Sequence, residues 1–180
     1  PEPVVEISGD SERLDLEVLT HYFESLPRDS SILLLGRFQI DRLRLLHCTQ
    51  FKLTKDVIEF QTRPDLKIRF LTVHQSKGLE ADHVIILNNR EAKLGFPAHV
   101  KDPPLKTELI KITEELRLDQ VSVNEERRLF YVALTRAKQQ VILLTIDGKE
   151  SSFIKELRQK FREDFTTYYL SHFEKYLNLE

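Results

Sequence analysis

The 180-residue chain is 41% hydrophobic, 31% charged and has a formal net charge of −2. That is apolar material for one good core, so a single domain with at most an appendage is expected. The charge balance excludes bulk attraction to a polyanion, no stretch is long and apolar enough for a membrane span, and no charged-then-apolar leader opens the chain.

Val4-Val5-Glu6-Ile7 is a β-branched run and predicts a strand. Asp10 or Ser11 can cap a following helix, whose apolar stripe is Leu14, Val18, Leu19 and Tyr22, and Pro27 ends it. Ser31 to Leu35 is an unbroken apolar run, as in a parallel strand covered on both faces, with Gly36-Arg37 at its carboxyl end. A second helix is expected over Ile40–His47, with Leu43, Leu46 and His47 on one face. Cys48 is the only cysteine, which excludes an internal disulfide, fits a reducing compartment and reads as buried filler. Strands follow at Val57–Phe60, Lys67–Val73, His83–Leu87 and Val141–Ile146. The stretch from Asn88 to Asn124 is broken by Gly95, Pro97, Pro103 and Pro104, and Leu105, Leu109, Ile112 and Leu116 suggest an amphipathic surface helix within it. The tail from Ser151 to Glu180 reads as two helices, with Phe153, Leu157 and Phe161 packed on the sheet. Helices alternating with apolar strands predict an α/β layer fold with a mainly parallel sheet. Such sheets place ligands beyond the carboxyl ends of their strands, which directs attention to Arg37, to His74 through Glu80 and to the helix before Gln139.

Two stretches carry chemistry. In Thr72-Val73-His74-Gln75-Ser76-Lys77-Gly78-Leu79-Glu80-Ala81-Asp82, a strand gives way to a polar turn with one glycine. Gly78 allows a ligand close to the backbone, a helix starting there would turn free N–H groups to an anion, and Glu80 could accept from a sugar hydroxyl. An ordinary left-handed turn with a capping Glu explains the same residues. The phosphate-loop spacing GxxxxGK[ST] is absent from the chain, so Lys77-Gly78 is not such a loop. In the second stretch, Glu125-Glu126-Arg127-Arg128-Leu129-Phe130-Tyr131-Val132-Ala133-Leu134-Thr135-Arg136-Ala137-Lys138, Asn124 can cap a helix on which Leu129, Val132, Ala133 and Arg136 share a face. Arg136 either satisfies last-turn carbonyls or points at an anion, and spacing leaves both open. Arg127 and Arg128 are expected to be held by nearby Glu side chains. The histidines at 21, 47, 83, 99 and 172 show no metal-ligand spacing.

The first of these stretches resembles motif V of UvrD/Rep-type superfamily 1 DNA helicases, and the second resembles their motif VI. The strand ending in Gly36-Arg37 is similar to motif IV, and Gly95-Phe96-Pro97 matches the Gly-Phe-Pro after motif V in many members. The Glu-Ala-Asp at 80–82 and the Gly-Phe-Pro-Ala at 95–98 look more like the helicase IV branch than like UvrD itself. The resemblance covers about Ser31 to Thr145 and implies the C-terminal RecA-like motor domain, 2A: a three-layer sandwich over residues 1–150 with motif IV near 31–37, motif V at 72–86, motif VI at 125–138 and a surface insertion at about 98–123. Residues 151–180 would be a helical segment packed on the same domain.

Carried over residue by residue, the resemblance implies an ATP site between this domain and an N-terminal RecA-like domain of the same protein. Arg37 and Arg136 would be arginine fingers on the γ-phosphate, Gly78 would approach that phosphate, and Glu80 would hold the ribose. Thr72 and His74 would touch single-stranded DNA, and Lys77 is a candidate for its phosphates. For Arg37 a surface ion pair is the alternative, for Glu80 helix capping, for His74 a turn-bound structural role, and for Lys77 simple solvation. Mg²⁺ ligands belong to the N-terminal domain in that family, and the 3′→5′ direction comes from membership alone. The chain opens at Pro1 and has no Met, so it is expected to be a piece of a longer protein. The resemblance implies that this protein is cytoplasmic, nucleoid-associated and bacterial, and that the piece is a monomeric fragment, inactive without the missing phosphate loop and acidic motif. The short interval from Arg37 to Thr72 leaves no room for the large 2B domain of UvrD. A helicase-like factor that remodels RNA polymerase is the alternative function. A degenerate adaptor and a helicase–nuclease rank below it.

Overall fold

Apolar runs that need cover on both faces dictate the architecture. In a computed structural model describing residues 4–9, 14–47, 49–98, 123–161 and 165–169, they form one eight-stranded sheet. The strands are β1 (Val4–Gly9), β2 (Ser31–Gly36), β3 (Phe51–Thr54), β4 (Val57–Phe60), β5 (Lys67–Thr72), β6 (Ala81–Ile86), β7 (Ala137–Ile146) and β8 (Phe165–Tyr169). Their order is β3-β4-β5-β2-β6-β7-β1-β8. The ladders from β5 to β8 are parallel, and only β3–β4 and β4–β5 are antiparallel.

Helix α1 (Leu14–Ser25) covers one face of the sheet, where Leu19, Tyr22 and Phe23 pack with Ile7, Ile32, Leu34, Ile85 and Ile142. Helices α2 (Val123–Leu134) and α3 (Ser152–Lys160) cover the other, where Leu129, Phe130, Ala133, Phe153 and Ile154 meet Leu33, Leu35, Val84, Ile86 and Leu143. The expected three-layer α/β sandwich with a mainly parallel sheet is therefore present. Alternation along each central strand sends successive side chains to opposite cores, which is why these strands read as unbroken apolar runs.

Several expectations need correction. The segment Gln39–His47 is a 3-10 helix, and it buries Leu45 while leaving Ile40, Leu43 and Leu46 exposed. Three residues per turn align those three on the outward face. Strand β3 is not evident from sequence because Phe51-Lys52-Leu53-Thr54 is only four residues long, although its apolar–polar alternation suits a half-buried strand. Among the described residues the tail holds one helix and then a strand: the β-branched and aromatic run Phe165-Thr166-Thr167-Tyr168-Tyr169 extends the sheet along β1. Residues beyond 150 thus contribute to the sheet as well as to the helical layer. Phe153 is buried and Leu157 packs against the core, but Phe161 is 52% exposed. Helix α2 already includes Val123, so Asn124 lies inside it. The expected caps Asp10 and Ser11, Cys48, and the stretch from His99 to Ser122 with its apolar repeat lie outside the described residues. No helix among the described residues is long and apolar enough to cross a membrane.

One charge is fully buried at this end of the sheet. The Glu6 carboxylate, in β1, accepts from Arg158 Nε at 2.6 Å and Nη2 at 2.5 Å, and from the hydroxyls of Thr145 and Thr167. These bonds tie β1, β7, β8 and α3 together. The carboxylate holds the Arg158 guanidinium well above its usual range. Truncating the arginine would strand a buried charge, so Arg158→Ala is expected to cost about 3 kcal/mol in urea unfolding. A change below about 0.5 kcal/mol, the size of an ordinary surface substitution, would contradict this reading of the network.

Candidate functional site

Strand direction sorts the candidate residues into two groups. In the parallel ladders Gly36 pairs with Thr72 and Leu35 with Ile86, so these positions share the carboxyl edge of the sheet. Ser31 pairs with Lys67, and Ala81 with Ala137, at the amino edge. The connection from Val73 to Glu80 starts at the first edge and ends at the second. Helix α2 does the same: its first turn lies beside Arg37, and the carbonyl of Arg136, just past its end, accepts from Ala81 N.

At the carboxyl edge, Thr72 and Gln75 close a tight local turn. Gln75 Oε1 accepts from Thr72 N and from Thr72 Oγ1, both at 3.1 Å, and from Gln39 Nε2 at 2.7 Å. The exposed His74 follows Thr72 there. Lys77 is exposed farther along the connection.

The stretch around Gly78 is a run of turns, not the helix start expected from sequence. Ser76 N donates to Thr72 O and Leu79 N to Ser76 O, and the next element is strand β6. Gly78 has φ of +80°, and a Cβ built there would meet nothing within 4 Å. The glycine therefore answers a backbone demand and leaves open space beside its peptide. Glu80 is exposed next to it.

Arg136 closes this amino-edge group. Its Nε donates to Val132 O at 3.0 Å, Nη1 to Leu79 O at 3.2 Å and Nη2 to Thr135 Oγ1 at 3.2 Å. The capping of last-turn carbonyls and the approach to the connecting loop, which spacing left as alternatives, thus coexist. A guanidinium has five N–H donors, so three bonds fix its plane and leave two for an incoming acceptor. Gly78, Glu80 and Arg136 are brought together, but at the amino ends of β6 and β7. Arg37, Thr72 and His74 lie at the opposite, carboxyl edge to which the strand rule directs attention.

Arg37 is not part of this group. It is 4% exposed and forms a fork with Glu126, itself 1% exposed: Nε lies 2.9 and 3.1 Å from the two carboxylate oxygens and Nη2 lies 2.8 Å from Oε1. Its guanidinium also lies over the Phe38 ring, 4.7 Å from the centroid. Glu126 and Arg136 are separated by ten positions, roughly 15 Å along a helix axis. Convergence of Arg37 and Arg136 on one phosphate, expected from the resemblance, does not fit that separation. The surface-pair alternative does not fit either, because the pair is buried.

Glu126 was missed as a candidate because a Glu in a first turn has a sufficient reason in the helix dipole. Its carboxylate also accepts from Ala98 N at 2.9 Å, directly after the cis Phe96–Pro97 peptide. Gly95 in that loop is obligatory, since a Cβ would stand 2.0 Å from Arg90 O. Arg128 pairs with Glu125, as expected, whereas Arg127 pairs with Glu156 of α3. Asp82 is structural: its carboxylate accepts from Ser31 N at 2.9 Å and Oγ at 2.6 Å, which holds its pKa below the usual range. His83 is buried, and its Nδ1 lies 2.8 Å from the Tyr22 hydroxyl, which donates to Gln140. Burial pushes its imidazole pKa down. Among the described residues no three His, Cys, Asp or Glu side chains form a group that could hold a metal ion.

The molecule is a three-layer α/β domain with a mainly parallel sheet, in which Arg136 bonds the loop that carries Gly78 and Glu80. The profile of the UvrD-like helicase C-terminal domain matches residues 41–148, and the chain belongs to that family. It is 40% identical over 95 residues to DNA helicase IV of Escherichia coli strain K12, a match covering 53% of this chain and 13% of that protein. It is 38% identical over 109 residues to an ATP-dependent helicase/nuclease subunit of Staphylococcus haemolyticus, covering 48% of this chain and 9% of that protein. The chain thus corresponds to a small part of each of these relatives. A crystal structure of the C-terminal domain of a possible DNA helicase from Lactobacillus plantarum superposes with a TM-score of 0.52 at 19% identity, covering 93% of this chain and 85% of that one, and shares the fold.

Two stability measurements test this local geometry. Gly78→Ala should cost about 1 kcal/mol in urea unfolding, the penalty for a left-handed alanine, and no loss would mean that the turn relaxes. The lowered Asp82 pKa contributes stability above the usual Asp range that is lost as pH falls through and below about 4. Asp82→Asn should therefore flatten the acid limb of the stability profile, and an unchanged limb would contradict the assignment.

Proposed function

We propose that this chain is the second motor domain of an ATP-dependent DNA helicase or translocase, working beside an N-terminal RecA-like domain of the same protein. The observation that carries the reading is the meeting of Gly78, Glu80 and Arg136 at one edge of the sheet, through the Arg136–Leu79 bond. The names of the relatives, a DNA helicase and an ATP-dependent helicase/nuclease, support DNA and ATP as the substrates. A cytoplasmic, DNA-directed role in bacteria and the 3′→5′ direction are parts of the same proposal.

In this reading ATP lies against the amino edge. The Glu80 carboxylate accepts from the ribose, the open peptide at Gly78 lies close to the γ-phosphate, and the two N–H groups left on Arg136 donate to it. Phosphoryl transfer concentrates charge on the equatorial oxygens, and a fixed guanidinium lowers the barrier there without first having to be ordered. Val132 O and Leu79 O hold that guanidinium in plane before nucleotide arrives. Mg²⁺, supplied on the N-terminal domain, would neutralise the β- and γ-phosphates. Thr72, His74 and Lys77 would contact the single strand on the other side of the connection, so one short segment touches both ligands.

The test is single-strand-stimulated ATPase of the full-length protein. Arg136→Ala should lower kcat by roughly 10³-fold or more, as for other arginine fingers, with ATP affinity within a few-fold. Arg136→Lys should fall between, because it keeps charge but loses the fork. Wild-type turnover in Arg136→Ala would remove the assignment.

A further inference from the structure

Arg37 and Glu126 form a deeply buried ion pair, and no ligand role accounts for it. The carboxylate receives three N–H···O contacts from Arg37 and one from Ala98 N. Three separate pieces of chain therefore meet on one side chain: the carboxyl end of β2, the loop through the cis Phe96–Pro97 peptide, and the first turn of α2. The other end of α2 is fixed differently. Arg136 N donates to Ala133 O, and Ala81 N donates to Arg136 O at the amino edge. Between the two ends the helix is seated by Leu129, Phe130 and Ala133 in the core. Phe96 packs edge-on against Phe130, with ring centroids 5.2 Å apart, so the loop that bonds Glu126 also braces the helix flank.

We propose that Glu126 and Arg37 are positioning residues that set the axial position of α2, and through it the position of Arg136, making the helix a strut between the two edges of the sheet. The proposal rests on the Arg136 reading above. A helix is stiff along its axis, so a shift at its first turn passes to its end instead of being absorbed. Packed interfaces tolerate discrete arrangements more readily than gradual deformation. The carboxyl edge beside this clamp holds Thr72, Gln75 and Gln39, where Gln39 follows Arg37 by two positions and bonds Gln75. Displacement of that edge by a bound strand would therefore bear on Arg37, then Glu126, then the far end of α2. This gives Arg37 a task that its burial permits, where contact with nucleotide would require breaking the clamp.

The experiment uses the full-length protein carrying Glu126→Gln, Arg37→Lys or Arg136→Ala, assayed below each variant's unfolding midpoint. Glu126→Gln and Arg37→Lys should lower single-strand-stimulated kcat by roughly ten- to a hundredfold, the effect of an ångström-scale misplacement, with KM for ATP within about twofold. Arg37→Met combined with Glu126→Leu removes the clamp without stranding a charge, and should show the same split if the single variants fold poorly. Wild-type kcat in folded clamp variants, alongside an inactive Arg136→Ala, would overturn the strut while leaving the arginine finger standing. A fall in kcat that only tracks the folded fraction would also overturn it. Wild-type turnover in Arg136→Ala would instead remove the reading on which the strut depends.

Discussion

Strand direction is the constraint on which the rest of this molecule depends. Once β2, β5, β6 and β7 are parallel, every connection between them must carry the chain back from the carboxyl edge to the amino edge. Two return paths lie on the same face of the sheet: the turns from Val73 to Glu80, and helix α2. They arrive side by side, where Ala81 N bonds Arg136 O and Arg136 Nη1 bonds Leu79 O. The candidate nucleotide cluster is a product of that arrival. No long-range ion pair is needed to assemble it.

The buried charges divide the domain's labour in a similar way. Glu6 and Arg158 fasten the outer strands β1 and β8 to α3, away from the candidate site. Arg37 and Glu126 fasten the inner strands to α2. Each carboxylate is fully desolvated and each is satisfied by a forked guanidinium plus further donors, the condition under which a buried pair holds without a large net penalty. Breaking either pair by removing one partner would leave a buried charge uncompensated, whereas an apolar replacement of both would not.

Much of this was legible in the sequence, for reasons that differ by residue. The runs Ser31 to Leu35 and His83 to Leu87 announced doubly covered strands because both their faces are apolar. Gly78 announced a turn because only glycine is comfortable at that φ. The motif order carried the family, and the matched profile agrees with it. What stayed hidden was tertiary. Burial of Glu126 cannot be seen from its neighbours, because the helix start alone explains a glutamate there. Which face of the segment Gln39–His47 is buried is not readable locally: Leu43 and Leu46 share a face, but it is the outward one, and Leu45 lies inside. Strand β8 is not evident from sequence because its partner, β1, lies more than 150 residues away. The separation of Arg37 from Arg136 follows from strand direction, which no local pattern states.

The central claim is that one arginine faces the nucleotide and the other is internal. The most direct measurement is an experimental structure of the full-length protein with single-stranded DNA and a non-hydrolysable ATP analogue. The account predicts Arg136 Nη atoms within hydrogen-bond distance of the γ-phosphate, with Arg37 still forked on Glu126 beneath the DNA-facing edge. An Arg37 released from Glu126 and bonded to the γ-phosphate, or an Arg136 with no approach to nucleotide, would contradict it.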